Sequence, residues 1–498
     1  MRMRQIAGPV EEFGPCLKRI LESRKISASE LARLLAYKSR NSIFRILDEV
    51  GGHSARQSFC RKLLDEDPLC LNEQEKAALE QALEVSRVGR HAFLSNCAMH
   101  EMLMNADMGE RKPNVRIDNA GNQEDPAFHK ALEEMAQGRK AHIIITGCCD
   151  RAVFEAIRER IHKTDVACEV KVVHLIYTGA EEIVGNISAI QPLLYCDFYT
   201  AYCVEPGVFS KEREALYRQN FIHIQAQNKL GQWYRQSLAL VDKGVFVPLG
   251  KMHTAENEHF MHYFEADLKQ MPLLKAELPG GDCVENYLRY TESCRKLEMN
   301  RTVYTIKPDI SMTCIHPDIL LPCVKEEFWQ MAGKAADKLK EAFYRTHMAR
   351  WENFFGTRRS NHMILSQEAM ESFARTGRQS DHFFAIRAYT PQERVKILGQ
   401  LKRQMMENAS FRMDFFKEAF KPPMTEIGLY DGAGTLITKP QTHYNLAGDH
   451  AEAVITQKEF CERYKEFYMK DLLERHVIAR EEALALLDRL IEIAKEAA

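Results

Sequence analysis

Nine polar side chains near the start of the chain have the types and spacing that read DNA. Lys38, Ser39, Arg40, Asn41 and Ser42 are consecutive, Arg45 follows a helical turn later, and Arg56, Arg61 and Lys62 extend the run. Arg and Lys suit the acceptor edge of guanine and Asn suits adenine, while Ser or a helix N-terminus suits phosphate. Other chemistry is sparse. His253, His259, His262 and Glu265 form the densest ligand-type cluster. On a helix, His259, His262 and Glu265 share a face that could hold a metal. The cluster lacks H-E-x-x-H, and amphipathic helices commonly carry scattered His and Glu, so no metal is expected. G-x-S-x-G and P-loop sequences are absent. Gly432-x-Gly434 lies between two strand-like arms and reads as a turn, not a dinucleotide loop. No cofactor and no catalytic residue is assigned, and the chain is not expected to be an enzyme.

The DNA-reading residues need a scaffold, and charge marks where it lies. Between Phe13 and Lys62 there are 11 Lys and Arg against 4 Asp and Glu, a net of +7. The whole chain is at −2, so the remainder carries −9. One small basic module is attached to a mildly acidic body. Within the module, Phe13, Leu17, Ile20 and Leu21 mark one helical face. Ser27 or Ser29 caps a second helix, with Glu30 at capping-box spacing from Ser27, and Leu31, Leu34 and Leu35 as its buried face. A four-residue turn, AYKS, leads to a third helix from about Arg40, packed through Ile43, Phe44, Leu47 and Val50 and stopped by Gly51 and Gly52. A fourth starts at Ser54, and NEQEKAALEQALEVSRVG reads as a fifth. Two short helices joined by a tight turn form a helix-turn-helix, whose second helix presents its first residues to the major groove. Arg56, Arg61 and Lys62 then serve for phosphate contact. The plainer alternative is a solvated helical bundle whose turn happens to be basic.

Over about Phe13 to Asp67, through LKRILESRKISASELARLLAYKSRNSIFRIL, the chain resembles the phage-repressor-like (Xre-type) helix-turn-helix regulators. It departs from their commonest pattern: Ser29 and Tyr37 stand roughly where Gln and Gly are usual. The resemblance implies double-stranded operator DNA as partner, bound as a homodimer.

The fold class expected is therefore multidomain: an all-α N-terminal helix-turn-helix bundle over 1–90, a helical or linker segment over 91–135, and a large α/β or α+β domain with helical insertions over 136–498. A polar, Pro- and Gly-punctuated hinge is expected near 105–127. Beyond it, AHIIITGCC, DRAVFEAIRERIHK and CEVKVVHLIY read as strand, helix and strand, a βαβ unit. The pair Cys148 and Cys149 reads as small residues after a buried strand; a redox sensor is the alternative. QWYRQSLALVDKGVFVPL is strand or hairpin, EEFWQMAGKAADKLKEAFYRTHMARWENFFG one strong helix, and PQERVKILGQLKRQMMENA another. FRMDFFKE is a strand, TEIGLYDGAGTLITK a hairpin turning at Asp431-Gly432, EAVIT a strand and KEFCERYKEFYMKDLLE a closing helix. REEALALLDRLIEIAKEAA packs on the body or on a second subunit. Two related halves are expected, about 136–250 and 392–475, with a mainly helical middle.

The order hairpin, polar loop THYNLAGDH, strand, aromatic-rich helix resembles the second half of phospholipase-D-like domains. That family's H-x-K-x4-D motif fails here. With Asp431 as its Asp, the Lys place falls on Glu426 and the His place on Met424. His443-x-Asn445 has an amide where the cation should be, with Asp449 one residue early. Such a fold would be retained for binding. The expectation is thus a DNA-binding transcriptional regulator whose C-terminal domain binds a small-molecule effector, dimerises, or both. A phosphodiesterase- or hydrolase-like enzyme and a non-catalytic protein-interaction module are the alternatives. The start has charge without an apolar core, no run approaches the roughly 20 apolar residues of a membrane span, and 14 cysteines lack any C-x-x-C pair. A cytoplasmic protein with reduced thiols and no membrane partner is expected.

Overall fold

The computed structural model describes residues 9–50, 52–104, 131–133, 135, 140–147, 151–162, 169–179, 182–196, 198–228, 230–242, 245–248, 264–276, 284–308, 310–331, 333–356, 360–379, 385–420, 423, 425–440 and 453–496. The chain is a mixed α/β protein with two compact units, 1–100 and 101–498. Among the described residues no helix is long and apolar enough to cross a membrane.

The first unit holds helices α1 (Phe13–Ser23), α2 (Ala28–Leu34), α3 (Arg40–Leu47), α4 (His53–Glu66) and α5 (Glu73–Val88), with α6 (Arg90–Met104) following. Their starts follow from capping chemistry. The Ser27 hydroxyl accepts from Glu30 N–H, Ser39 from Asn41 N–H, and Asn72 with Glu75 completes a reciprocal capping box. Phe13, Leu17, Ile20, Leu21, Leu31, Leu35, Ile43, Ile46, Leu47, Phe59, Leu63 and Leu79 share one core.

The first three helices stop in the same way. Lys25, Ala36 and Glu49 take positive φ values of 56°, 52° and 54°. The next N–H then returns to a carbonyl five residues back: Ile26 to Leu21 at 3.0 Å, Tyr37 to Ala32 at 2.8 Å, Val50 to Arg45 at 2.7 Å. These are Schellman ends built without glycine. They correct three expectations. Helix α3 is stopped at Glu49, ahead of the glycines, so Val50 lies past its end, 52% exposed. Phe44 and Leu34, expected inside, are 44% and 41% exposed, and Ile46 and Ala32 fill the core instead. Both helices are short, and the buried face of each is a narrow stripe that excludes 34 and 44. Gly14 marks the closest approach, since a Cβ there would sit 2.3 Å from the Leu47 carbonyl oxygen.

The second unit is built on two sheets. The first contains β1 (Lys140–Thr146), β2 (Glu169–Tyr177), β3 (Tyr199–Val204), β4 (Phe221–Gln227), β5 (Trp233–Asp242) and β6 (Val245–Pro248), in the order β3-β2-β1-β4-β5-β6. Helix α7 (Arg151–His162) joins β1 to its parallel neighbour β2, the expected βαβ unit; α8 (Ile183–Ala189) and α9 (Lys211–Arg218) follow. β4 returns antiparallel to β1, and β5 and β6 extend that ribbon.

The second sheet contains β7 (Lys275–Ala276), β8 (Val303–Ile306), β9 (Asn361–Leu365), β10 (Phe411–Phe415), β11 (Thr425–Tyr430), β12 (Thr435–Pro440) and β13 (Ala453–Ile455). Its order is β10-β9-β8-β11-β12-β13-β7. β8, β9 and β10 are parallel, and β11 returns antiparallel to β8. The second sheet therefore repeats the path of the first, with β8 in the place of β1. It takes its first two parallel strands from the stretch expected to be mainly helical. Segment 272–276 links the sheets edge to edge, through Cys203 N–H to the Pro272 carbonyl at 2.8 Å and through β7 pairing with β13.

Helices α10 (Val284–Glu298), α11 (Ala336–Phe355), α12 (Gln367–Thr376), α13 (Pro391–Glu407), α14 (Lys458–Glu466) and α15 (Arg480–Glu496) complete the unit. The expected long helix from Glu326 is broken. A short helix ends at Gln330, and Gly333 at φ +55° precedes α11. The closing helix α14 widens into a π-helical stretch, Phe467–His476. Helix α15 packs on the body, sharing a core with α13 and α12.

Candidate functional site

On the first unit, Lys38, Ser39, Arg40, Asn41 and Arg45 are exposed, and Ser42 is half-buried. Ser39 is committed to capping α3: its hydroxyl accepts the Asn41 N–H at 3.2 Å and its carbonyl the Ser42 N–H at 3.2 Å. Ion pairing divides the cations into two classes. Lys18 pairs with Asp48, Arg24 with Glu75, and Arg33 weakly with Glu30. Lys38, Arg40, Arg45 and Arg61, by contrast, make no ion pair among the described residues, so their charge is uncompensated. Arg40, Asn41, Phe44 and Arg45 form one stripe along α3, because residues four apart stack on a helix. Phe44 is a residue the sequence pattern missed: its apolar type and spacing pointed inward.

Two of the expected phosphate contacts are corrected. Arg56 is buried, with Nη1 2.9 Å from the Glu49 carboxylate and 3.2 Å from the Glu49 carbonyl. The same carboxylate accepts the Gly14 N–H at 2.5 Å, so Arg56 and Glu49 tie α4 and the end of α3 to the start of α1. Lys62 donates to the Leu35 carbonyl at 2.6 Å and lies 5.0 Å from the Tyr37 ring centroid. It braces the turn after α2. Arg61 is exposed.

The second unit encloses a polar pocket of about 60 Å³ between β8, β11, α10 and α11. Two ion pairs form much of its wall. Lys307 Nζ lies 2.8 Å from a Glu426 carboxylate oxygen, and Arg350 binds Glu298 through Nε at 3.0 Å and Nη2 at 2.6 Å. Burial opposes the charge on Arg350, but Glu298 beside it prevails and holds the guanidinium well above the usual arginine range. Tyr430, 7% exposed, also lines the pocket, and burial, with Cys294 and Glu298 nearby, pushes its phenol well up. It stays a neutral hydroxyl donor. Thr305, Ser311 and Thr313 add hydroxyls. No sequence signal could have assembled this set, whose members span residues 290 to 437 without local spacing.

His253, His259, His262, Met424, His443, Asn445, Asp449, the Cys148-Cys149 pair, Gly51 and the 105–127 hinge lie outside the described residues. Glu265 is exposed. Asp431 is held by Lys465 at 2.6 Å, and Glu426 by Lys307, so neither is poised for phosphoryl chemistry. Gly432 and Gly434 take φ of +82° and +57° in the β11–β12 turn, as the turn reading requires. Buried thiols are held protonated: burial pushes Cys60, Cys203, Cys314, Cys323 and Cys461 up to about 12. Phe328, Trp329, Phe343, Phe354 and Phe355, on and around α11, are all buried in the core.

Compared with family models, curated proteins and solved structures, the chain matches none.

Proposed function

We propose that the chain is a DNA-binding transcriptional regulator. In this reading α2 and α3 form a helix-turn-helix, α3 enters the major groove, and the second unit senses a small effector, dimerises, or both. The observation that carries it is the set of uncompensated cations, Lys38, Arg40, Arg45 and Arg61, around the outward-facing start of α3. Elsewhere on the same unit most cations are neutralised within the protein, while these retain the charge that displaces counterions from DNA. Arg40 and Asn41 would read base edges, and Lys38 and the α3 N-terminus would take phosphate. Two such modules on half-sites one DNA turn apart would supply the affinity a single module lacks.

A mobility-shift assay of the full chain on its own upstream region tests this. Arg40→Ala and Asn41→Ala should each weaken specific binding by about 1–3 kcal/mol, roughly five- to over a hundredfold. Wild-type binding by both variants would remove α3 from the interface.

A further inference from the structure

We infer that the pocket between β8, β11, α10 and α11 is a binding site for a small carboxylate. The inference builds on the reading of the second unit as sensory, but the binding itself is measurable without DNA.

The pocket leaves polar groups without a hydrogen-bond partner among the described residues. A buried hydroxyl or N–H without a partner is unfavourable, and native proteins pair nearly all of them. Tyr430 lines the pocket and is more than nine-tenths buried, and its hydroxyl makes no hydrogen bond among the described residues. Its neighbours are the two ion pairs, whose carboxylates are already engaged: Glu298 by Arg350 and Glu426 by Lys307. Arg350 gives Glu298 only one edge of its guanidinium, the Nε and Nη2 side. Its Nη1 makes no hydrogen bond among the described residues, which leaves the far edge of the plane available. Thr305, on β8, adds a hydroxyl whose oxygen is likewise unbonded among them.

All three unbonded groups can donate, and their residues line one pocket. Two phenol- or alcohol-type O–H groups and a guanidinium edge call for an acceptor with two oxygens in one plane. A carboxylate has that geometry, and Arg pairs with it through parallel N–H···O bonds. Size sets the rest. A cavity of about 60 Å³ accommodates a ligand of roughly four to six non-hydrogen atoms, given that one water needs about 10–15 Å³ by the same measure. Charge weighs against a dianion: the four ionised side chains cancel, so any added negative charge goes uncompensated, and a carboxylate brings one where a phosphate dianion brings two. Few apolar groups reach the pocket besides Val303, Met312, Phe354, Met363 and Ile437, which suits a short aliphatic or hydroxy-acid tail.

Isothermal titration calorimetry of the full chain with acetate, glycolate and pyruvate, at constant ionic strength, tests the site, with acetamide as the neutral isostere. Saturable one-to-one binding of at least one carboxylate is expected, with acetamide at least tenfold weaker. Tyr430→Phe should weaken the carboxylate at least tenfold while leaving the ligand-free melting temperature unchanged, because the lost hydroxyl makes no hydrogen bond among the described residues. Arg350→Lys, which keeps the charge opposite Glu298 but removes Nη1, serves if the first variant does not fold. Absence of saturable binding would mean that the pocket holds only water and would overturn the proposal. So would equal affinity for acetamide, or wild-type affinity in the variants. A chain that shifts no DNA but binds the carboxylate would instead remove the regulatory reading and leave this site standing.

Discussion

At the scale of single residues, two arginines eleven positions apart have opposite roles, which type and spacing alone did not separate. Arg45 is exposed on α3 and Arg56 is inside, locked to Glu49. Arg56→Ala should therefore leave an unpaired carboxylate and cost about 3 kcal/mol of stability, read by chemical denaturation of the first unit. Arg45→Ala should leave stability within about 0.5 kcal/mol and weaken DNA binding with a shallower salt dependence, by about one unit of slope. Phe44 belongs to this scale too. An exposed ring between Arg40 and Arg45 suits the 5-methyl group of thymine. Replacing individual thymines by uracil in the bound duplex should weaken the wild-type chain at one position and leave Phe44→Ala indifferent there. Indifference of both proteins at every position would exclude that contact.

At the scale of elements, the Schellman ends explain why the turns of the first unit were hard to see. A glycine normally announces the left-handed residue after a helix, but Lys25, Ala36 and Glu49 occupy those places. The Cβ at such a position costs about 1 kcal/mol. Ala36→Gly should thus stabilise the turn between α2 and α3 by up to about 1 kcal/mol, seen as roughly fivefold slower exchange of the amides in those two helices. Exchange unchanged or faster would mean that the turn's strain is relieved elsewhere. One cap was legible: Ser27 sits where the capping pattern places it, three residues before Glu30, whereas the capping boxes at Asn72 and Thr390 emerged with the structure. The second sheet's β8 and β9 were not. Each is a run of four or five residues between long helical stretches, too short for periodicity to declare.

At the scale of the whole molecule, the two sheets with one strand order make the second unit a repeated design, and the repeat carries a pH dependence on one side. His174, on β2, is fully buried beside the Phe154 ring, with Nδ1 2.8 Å from the Tyr199 hydroxyl. Burial lowers its pKa to about 3 from the ordinary 6.5. The unfolded chain therefore binds a proton that the folded chain refuses anywhere between those values. Stability from this group is complete above pH 6.5 and is lost as pH falls towards 3, with a slope of up to about 1.4 kcal/mol per pH unit. Denaturation midpoints of His174→Gln should show a correspondingly flatter decline between pH 6.5 and 4, even if the variant is less stable at pH 8. An unchanged slope would place the acid sensitivity on other groups, among them His142 and His362, whose pKa values burial also lowers.

The local features are legible in the order of residues alone: the five N-terminal helices and one of their caps, the basic module on an acidic body, the first βαβ unit, and the hairpin at Asp431-Gly432. Each is set by neighbours a few residues away, through capping bonds, apolar periodicity or turn chemistry. Tertiary structure alone decided which cations stay uncompensated, which apolar residues of α2 and α3 face outward, that a second sheet repeats the first, and that Glu298, Lys307, Arg350, Glu426 and Tyr430 meet. Those outcomes depend on partners tens to hundreds of residues apart, and a buried ion pair leaves no trace in the order of residues along the chain.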